Sequence, residues 1–188
     1  MSSAHPSLQR ALPPGVRLID CDRGLHAAAI LDILNEAIVH STALYDYQPR
    51  SAAQMDAWFD AKVAGGWPVI GAVDEAGTLL GFASCGSFRA FPAYKYTAEH
   101  SVYVHHTQRG RGLGRVLLQA LIERVQALGL HTLVGVIDHD NAGSQRLHTA
   151  LGFVHAGTLR QCGFKFGRWL DVDFYQLTLP TPAQPVDG

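Results

Sequence analysis

Residues 101–137 constrain the fold more than any other stretch: a short β-like run at 101–104, a glycine-rich turn, an amphipathic helix and a second β-like run follow one another. Strand, crossover helix and strand within one sheet close as a right-handed parallel unit. The helix is read over 112–128 from the spacing of Leu113, Val116, Leu117, Ala120, Leu121 and Leu128, and the second strand over 132–137. The turn itself reads Gln108-Arg109-Gly110-Arg111-Gly112-Leu113-Gly114. Glycines let the backbone approach a ligand, and the unpaired N–H groups of the first helical turn then face any anion placed there. A phosphate or pyrophosphate is the natural guest of such a cradle.

The flanking sequence supplies the rest of a sheet. A first strand is expected at 16–20, then a helix with Ala27, Ile30, Leu31, Leu34 and Ile38 at helical spacing. A second helix opens on a capping-box pattern, Ser51 with Gln54, carries Met55, Trp58, Phe59 and Val63 on one face, and ends at Gly65-Gly66. Strands at 69–73 and 79–85 joined by a short glycine-containing turn predict an antiparallel hairpin. A short helix at 142–151, capped by Gly152, and strands at 153–159 and 170–179 complete the chain. The expected architecture is α/β: a mixed sheet of six to seven strands, about four helices and a central βαβ unit. Residues 15–179 form the domain, with proline-bearing tails at 1–14 and 180–188.

Fifteen Lys and Arg against sixteen Asp and Glu leave no global field to attract a nucleic acid or an anionic membrane, so any charged ligand must be met locally. There is no apolar run of the roughly 18 residues a membrane span needs. Cys21, Cys85 and Cys162 form no CxxC pair and suit a reducing cytoplasm. Cys85 ends an apolar strand and reads as packing rather than a nucleophile. His105-His106 and Asp138-His139-Asp140 lack metal-ligand spacing, and no metal is expected.

Two phosphate ligands fail on the residues. A P-loop needs Lys-Ser or Lys-Thr after its glycines, and a Rossmann turn needs GxGxxG where this chain has GxGxG. The Arg109 to Gly114 turn, together with Asn141-Ala-Gly-Ser-Gln-Arg-Leu-His148-Thr-Ala-Leu-Gly152-Phe153, resembles the two signatures of the GNAT family of N-acetyltransferases. Within that family the chain is most similar to the phosphinothricin and methionine sulfone/sulfoximine acetyltransferases. That similarity runs through Phe88-Arg89-Ala-Phe91, Tyr96-Thr-Ala-Glu99-His-Ser-Val-Tyr-Val104 and Gly163-Phe-Lys-Phe-Gly-Arg-Trp-Leu-Asp171. It covers nearly the whole chain.

The resemblance implies a GNAT fold and acetyl-CoA as co-substrate. The pantetheine arm would run along Val102, Tyr103 and Val104, the pyrophosphate would lie on Arg109, Gly110, Arg111, Gly112, Leu113, Gly114 and Arg115, and Asn141 would contact the arm. The acceptor would be the α-amine of a small amino acid analogue, acetylated by direct attack. Glu99 is the expected general base. His148 stands where many relatives have a Tyr that assists the leaving thiolate, and is the second catalytic candidate. Arg89 is the expected donor to an anionic acceptor group, with Lys95, Lys165 and Arg168 further out. Phe91, Tyr94 and Tyr96 would wall the site beside Glu99, His100 and Ser101. The resemblance also implies a homodimer and a role in herbicide or antibiotic resistance. Two other readings stay open: a GNAT enzyme for a polyamine, aminoglycoside or protein N-terminus, and a silent acyl-CoA sensor.

Overall fold

The computed structural model describes residues 12–187, so residues 1–11 of the expected N-terminal tail and residue 188 lie outside the described residues. The strands are β1 (Arg17–Asp20), β2 (Val69–Val73), β3 (Leu79–Ser87), β4 (Thr97–Val104), β5 (Thr132–Asp138), β6 (Val154–Lys165) and β7 (Arg168–Thr178). The helices are α1 (Arg23–His40), α2 (Ala52–Ala64), α3 (Leu113–Ala127) and α4 (Ala142–Ala150). All seven strands join one sheet in the order β1-β2-β3-β4-β5-β7-β6. Among the described residues only the β4–β5 pairing is parallel, because α3 carries the chain over the sheet between them.

Each face of the sheet is covered. On one side Leu113, Leu117, Leu118 and Leu121 of α3 pack against Ala83, Ala98, Leu133 and Phe153. On the other, Ile30, Ile33 and Leu34 of α1 and Met55 and Phe59 of α2 pack against Val69, Val73 and Phe82. The Ser51 capping box forms with both reciprocal bonds. Val63, expected on the apolar face of α2, is 77% exposed, and it is its neighbour Lys62 that reaches the sheet, at the Cys85 carbonyl of β3.

Two strands are longer than the hydropathy pattern suggested. β4 begins at Thr97 rather than 101, with Ala98 and His100 buried on alternate positions; a histidine in the core hid the alternation. β6 continues beyond 159 through a register shift between Leu159 and Gly163, where Gln161 adopts a φ of 51°. A two-residue turn, Phe166-Gly167, then reverses the chain into β7, both residues having positive φ as a tight hairpin requires. The C-terminal segment is not loose either. The Thr181 hydroxyl donates to the Leu130 carbonyl, the Thr181 carbonyl meets the His131 ring, and Val186 is bonded to the Tyr96 hydroxyl.

Two pairings position the functional region. β4 matches β5 only from Thr97 opposite Thr132 to His100 opposite Gly135. Beyond that rung β4 continues beside β3 and β5 beside β7, so the central strands part. The loop between α1 and α2 is held over this opening from β6. The Lys165 ammonium, only 4% exposed, donates to the carbonyls of Ile38, Ser41 and Leu44 at 2.7, 2.9 and 2.6 Å. It thereby supplies donors at the C-terminus of α1, where the helix dipole also favours a cation. Replacing Lys165 by Met should unpair these carbonyls and lower the unfolding free energy by about 2 kcal/mol, measured by urea denaturation.

Candidate active site

The parted strands open a cleft of about 500 Å³ whose walls come from β4 and β5, from α4 and the α1–α2 region, and from Phe82 of β3 and Val172 of β7. β4 contributes Glu99, His100, Ser101, Val102 and Tyr103, and β5 contributes Gly135, Val136, Ile137 and Asp138. α4 adds Asn141, Ser144 and His148, and the α1–α2 region adds Leu34, Thr42, Tyr45, Arg50 and Trp58. Along β4, the edge that faces β5 has lost its ladder partner from Ser101 onward. Its alternate N–H and C=O groups are therefore free to pair with an extended ligand, as an added strand would.

Side-chain alternation sorts β4 into two functions. Val102 and Val104 pack toward α3, while Tyr103 turns to the α1–α2 side, where its ring lies 5.6 Å from Phe82. Glu99 shares the Tyr103 face. Its carboxyl is half-buried, and burial pushes its pKa above the ordinary carboxylate value, with the Arg89 guanidinium pulling the other way. Burial likewise pushes the Tyr103 phenol up, opposed by Arg50.

At the end of β4 the chain enters the glycine turn. Gly112 is the N-cap of α3 in the left-handed region, φ 82°, a conformation costing an ordinary residue about 1–2 kcal/mol. It offers no side-chain cap, which leaves the first-turn N–H groups open to an anion. Gly110 is also left-handed, and the space a side chain would take there is empty. Arg109 is paired at 2.9 Å with Glu36 of α1, and Arg111 with Gln108, so both guanidiniums stand beside the cradle on surface contacts.

Asn141 is the N-cap of α4, its side-chain oxygen accepting from the Ser144 N–H at 3.0 Å. One turn on, His148 is buried, and its Nδ1 lies 2.7 Å from the Ser144 carbonyl. Its Nε2 is 3.1 Å from the Nε2 of His100, with the rings stacked at 5.0 Å. Burial lowers the pKa of both imidazoles.

The expected acceptor residues divide. Glu99, His100 and Ser101 line the cleft, whereas Arg89, Phe91, Tyr94 and Tyr96 do not. The Arg89 guanidinium lies 4.2 Å from the Phe88 ring centre, Tyr94 packs edge-on against Phe88, and Phe91 is 73% exposed. The Tyr96 hydroxyl is bonded to Val186. Of the outer cations, Lys165 is the buried tether, Arg168 pairs with Asp140 at 2.8 Å, and Lys95 rests on the Tyr96 ring. Cys85 lies outside the cleft, and burial pushes its thiol up to about 12, so it carries no thiolate at neutral pH.

The cation in the cleft wall is Arg50, which the sequence reading did not single out. Its Nε and Nη2 bond the Asp46 carboxylate at 2.9 and 2.8 Å, and Asn35 grips its backbone from both sides, accepting from its N–H at 2.7 Å and donating to its carbonyl at 3.0 Å. The signal was its place: the last residue before a capping box, on a loop between two helices. Tyr45, on the same loop, crosses to Asp138 with its hydroxyl 3.2 Å from the carboxylate.

A family model described as the Acetyltransferase (GNAT) family matches residues 29–153. An L-methionine sulfoximine/L-methionine sulfone acetyltransferase of Pseudomonas paraeruginosa is 50% identical over 157 residues, which are 83% of this chain and 91% of that protein. An L-amino acid N-acyltransferase of Escherichia coli is 42% identical over 87% of this chain and 94% of its own length. Among solved structures, a phosphinothricin acetyltransferase from Sinorhizobium meliloti in complex with acetyl-CoA superposes with a TM-score of 0.86 at 35% identity, covering 91% of this chain and 92% of that one.

Proposed function

The chain belongs to the GNAT acetyltransferase family, and on that premise we propose that it transfers acetyl from acetyl-CoA to the α-amine of a small amino acid analogue of the methionine sulfone, methionine sulfoximine or phosphinothricin kind. The observation that carries this reading is the continuous path formed by the free edge of β4 and the uncapped first turn of α3. The residues fit the donor at both ends. Residues 102–104 would hold a pantetheine arm by backbone groups, and residues 109–115 would take a pyrophosphate on N–H groups with Arg109, Arg111 and Arg115 around it. Bound there, acetyl-CoA supplies the activated acyl group.

The chain's own residues then handle the acceptor. Arg50 is fixed by Asn35 and reaches the cleft, where its fork of donors suits the acceptor carboxylate. Arg89 stands outside and acts on Glu99 through charge alone. Leu34, Trp58 and Phe82 offer an apolar wall to the acceptor side chain. Glu99 takes a proton from the attacking amine, and an N–H on the free edge of β4 near Val102 or Tyr103 meets the developing oxyanion. The acceptor reacts as the neutral amine after releasing its ammonium proton to solvent, so the one proton that Glu99 accepts on attack can be returned to the leaving sulfur and the transfer balances with one carboxylate. A cation in the wall disfavours polyamine and aminoglycoside acceptors.

The edge hairpin of β6 and β7 exposes Phe164, Phe166 and Trp169, Trp169 to 60%, and this apolar rim supports a homodimer. Among the described residues no helix is long and apolar enough to cross a membrane. The three unpaired cysteines suit the cytoplasm, and acetylation of such analogues would serve resistance.

Thiol release measured with acetyl-CoA against methionine sulfone, methionine sulfoximine, phosphinothricin, spermidine and kanamycin should show turnover with the first three alone. Glu99→Gln should lower kcat by about 10²-fold or more while acetyl-CoA still binds. Because the base works deprotonated and its pKa is raised, wild-type kcat/KM should fall as pH drops through a value above the ordinary one, a limb that Glu99→Gln lacks. Unchanged turnover in that variant removes Glu99 as the base. Arg50→Gln should raise the acceptor KM about 10-fold or more and leave the acetyl-CoA KM in place; if Arg89→Gln does this instead, the carboxylate is held at the mouth. Sedimentation equilibrium should give twice the chain mass, and Trp169→Glu the mass of one chain; a monomeric wild type refutes the dimer.

A further inference from the structure

Glu99 alone balances the protons of the proposed transfer, which leaves two buried imidazoles of the cleft, His100 and His148, without a task. Their hydrogen bonds fix their tautomers. The Ser144 carbonyl can only accept, so the His148 Nδ1 that lies 2.7 Å from it carries a proton. The neutral His148 ring then presents a lone pair at Nε2, and the His100 Nε2 at 3.1 Å must be the donor. This assignment leaves the other His100 nitrogen, Nδ1, as a buried lone pair without a partner, which is what the structure contains.

The surroundings favour the neutral pair. Ser144 and the Tyr175 ring approach His148 from α4 and β7, Phe153 packs edge-on against both rings, and Gly135 lies beneath. Glu99 is the chain neighbour of His100 but points to the opposite face of β4, and Asp138 is engaged by Tyr45 and the Asp140 N–H. Among the described residues no carboxylate is bonded to either imidazole. Burial holds both rings in the neutral form.

Room for the contact comes from β5. A Cβ at Gly135 would stand 2.9 Å from the Nε2 of His100 and 2.9 Å from that of His148. Gly135 is also the last β5 residue paired with β4, opposite His100. The imidazole pair therefore sits at the apex where the strands part.

We infer that His100 is a positioning residue which, with the space left at Gly135, locks His148 as a neutral wall of the cleft, its Nδ1 proton on Ser144 and its Nε2 lone pair capped. His148 thus shapes the acyl end of the site and carries no proton in the transfer. The kinetic consequence rests on the acetyl-transfer reading, whereas the state of the rings does not.

Nitrogen-15 NMR of histidine-labelled protein tests it. In the wild type the His148 Nε2 should be a lone-pair nitrogen and the His100 Nε2 an N–H, neither changing between about pH 5.5 and 8, where a free imidazole titrates. His100→Phe keeps a ring against Phe153 but has no donor, and should raise the His148 pKa by about one unit or more. It should also add an imidazole limb to the pH dependence of kcat/KM, and His100→Gln, which restores an N–H, should remove both changes. Gly135→Ala forces the rings apart and should reproduce the Phe variant's spectrum, which keeps the test decisive if that variant does not fold. The opposite tautomers in the wild type, a titrating wild-type His148, or His148 signals unmoved by Gly135→Ala each overturn the inference. An enzyme inactive on every amine but with this spectrum refutes only the acetyl-transfer reading.

Discussion

The parallel pairing of β4 and β5 ends after four rungs, and the site is a consequence of that ending. A full ladder would satisfy the backbone of residues 101–104 internally and close the sheet. Because it stops at His100 and Gly135, β4 keeps β3 on one side and offers its other edge to a ligand. An exposed edge is normally a hazard, since it invites pairing with any extended chain. Here it lies inside the sheet, between two strands held apart, where only a narrow extended ligand can enter. In the proposed reading the glycine turn that follows β4 would meet the far end of such a ligand with the N-terminus of α3. One short ladder and one helix start would therefore set the direction of the proposed donor.

The α1–α2 side of the cleft depends on a different device. The loop between α1 and α2 carries Tyr45 and Arg50, and a loop of this kind would ordinarily wander. Three tethers hold it: Lys165 takes the carbonyls at its start, Tyr45 reaches Asp138 across the cleft, and Asn35 grips the backbone of Arg50 at its end. Two of these tethers join elements far apart in sequence, β6 to α1 and the loop to β5, and the third ties α1 to the residue before α2. The cleft wall is thus rigid because the fold closes around it. An ion pair with Asp46 orients the Arg50 guanidinium without exhausting its donors.

What could be read from the sequence follows from how local each cause is. The βαβ unit, the capping box at Ser51, the β2–β3 hairpin and the glycine turn are written in consecutive residues, and they were legible. The early part of β4 was not, because His100 occupies a core position that hydropathy scores as polar. The distal half of β6 was not, because Arg160-Gln161-Cys162-Gly163 looks like a loop and is a bulged strand paired across a tight turn. At the site, Glu99 and the turn were visible through motif context. Arg50 and Tyr45 were not singled out: the place of Arg50 before a capping box marks a functional loop, but only the contact with Asn35 separates an arginine held into a cleft from one in solvent. Lys165 shows the converse: read as an outer surface cation, it is buried because three carbonyls from another element converge on it.

The adjacency of Glu99 and His100 has its own logic. Successive residues of a strand face opposite sides, so these two titratable groups are neighbours in sequence and separated by the sheet in space. Glu99 faces the α1–α2 side of the cleft, where partial burial raises its pKa. His100 meets the α3–α4 side, where deeper burial keeps its ring neutral and another ring occupies its proton. The pairing of Gly86 with Glu99 and of Cys85 with His100 fixes which residue faces which way. A slip of one residue in that register would bury the carboxylate on the face of Phe153 and Leu133 and turn the imidazole to the α1–α2 side. The antiparallel pairing with β3, which runs from Ser87 opposite Ala98 to Gly81 opposite Val104, guards against that slip where β5 no longer can.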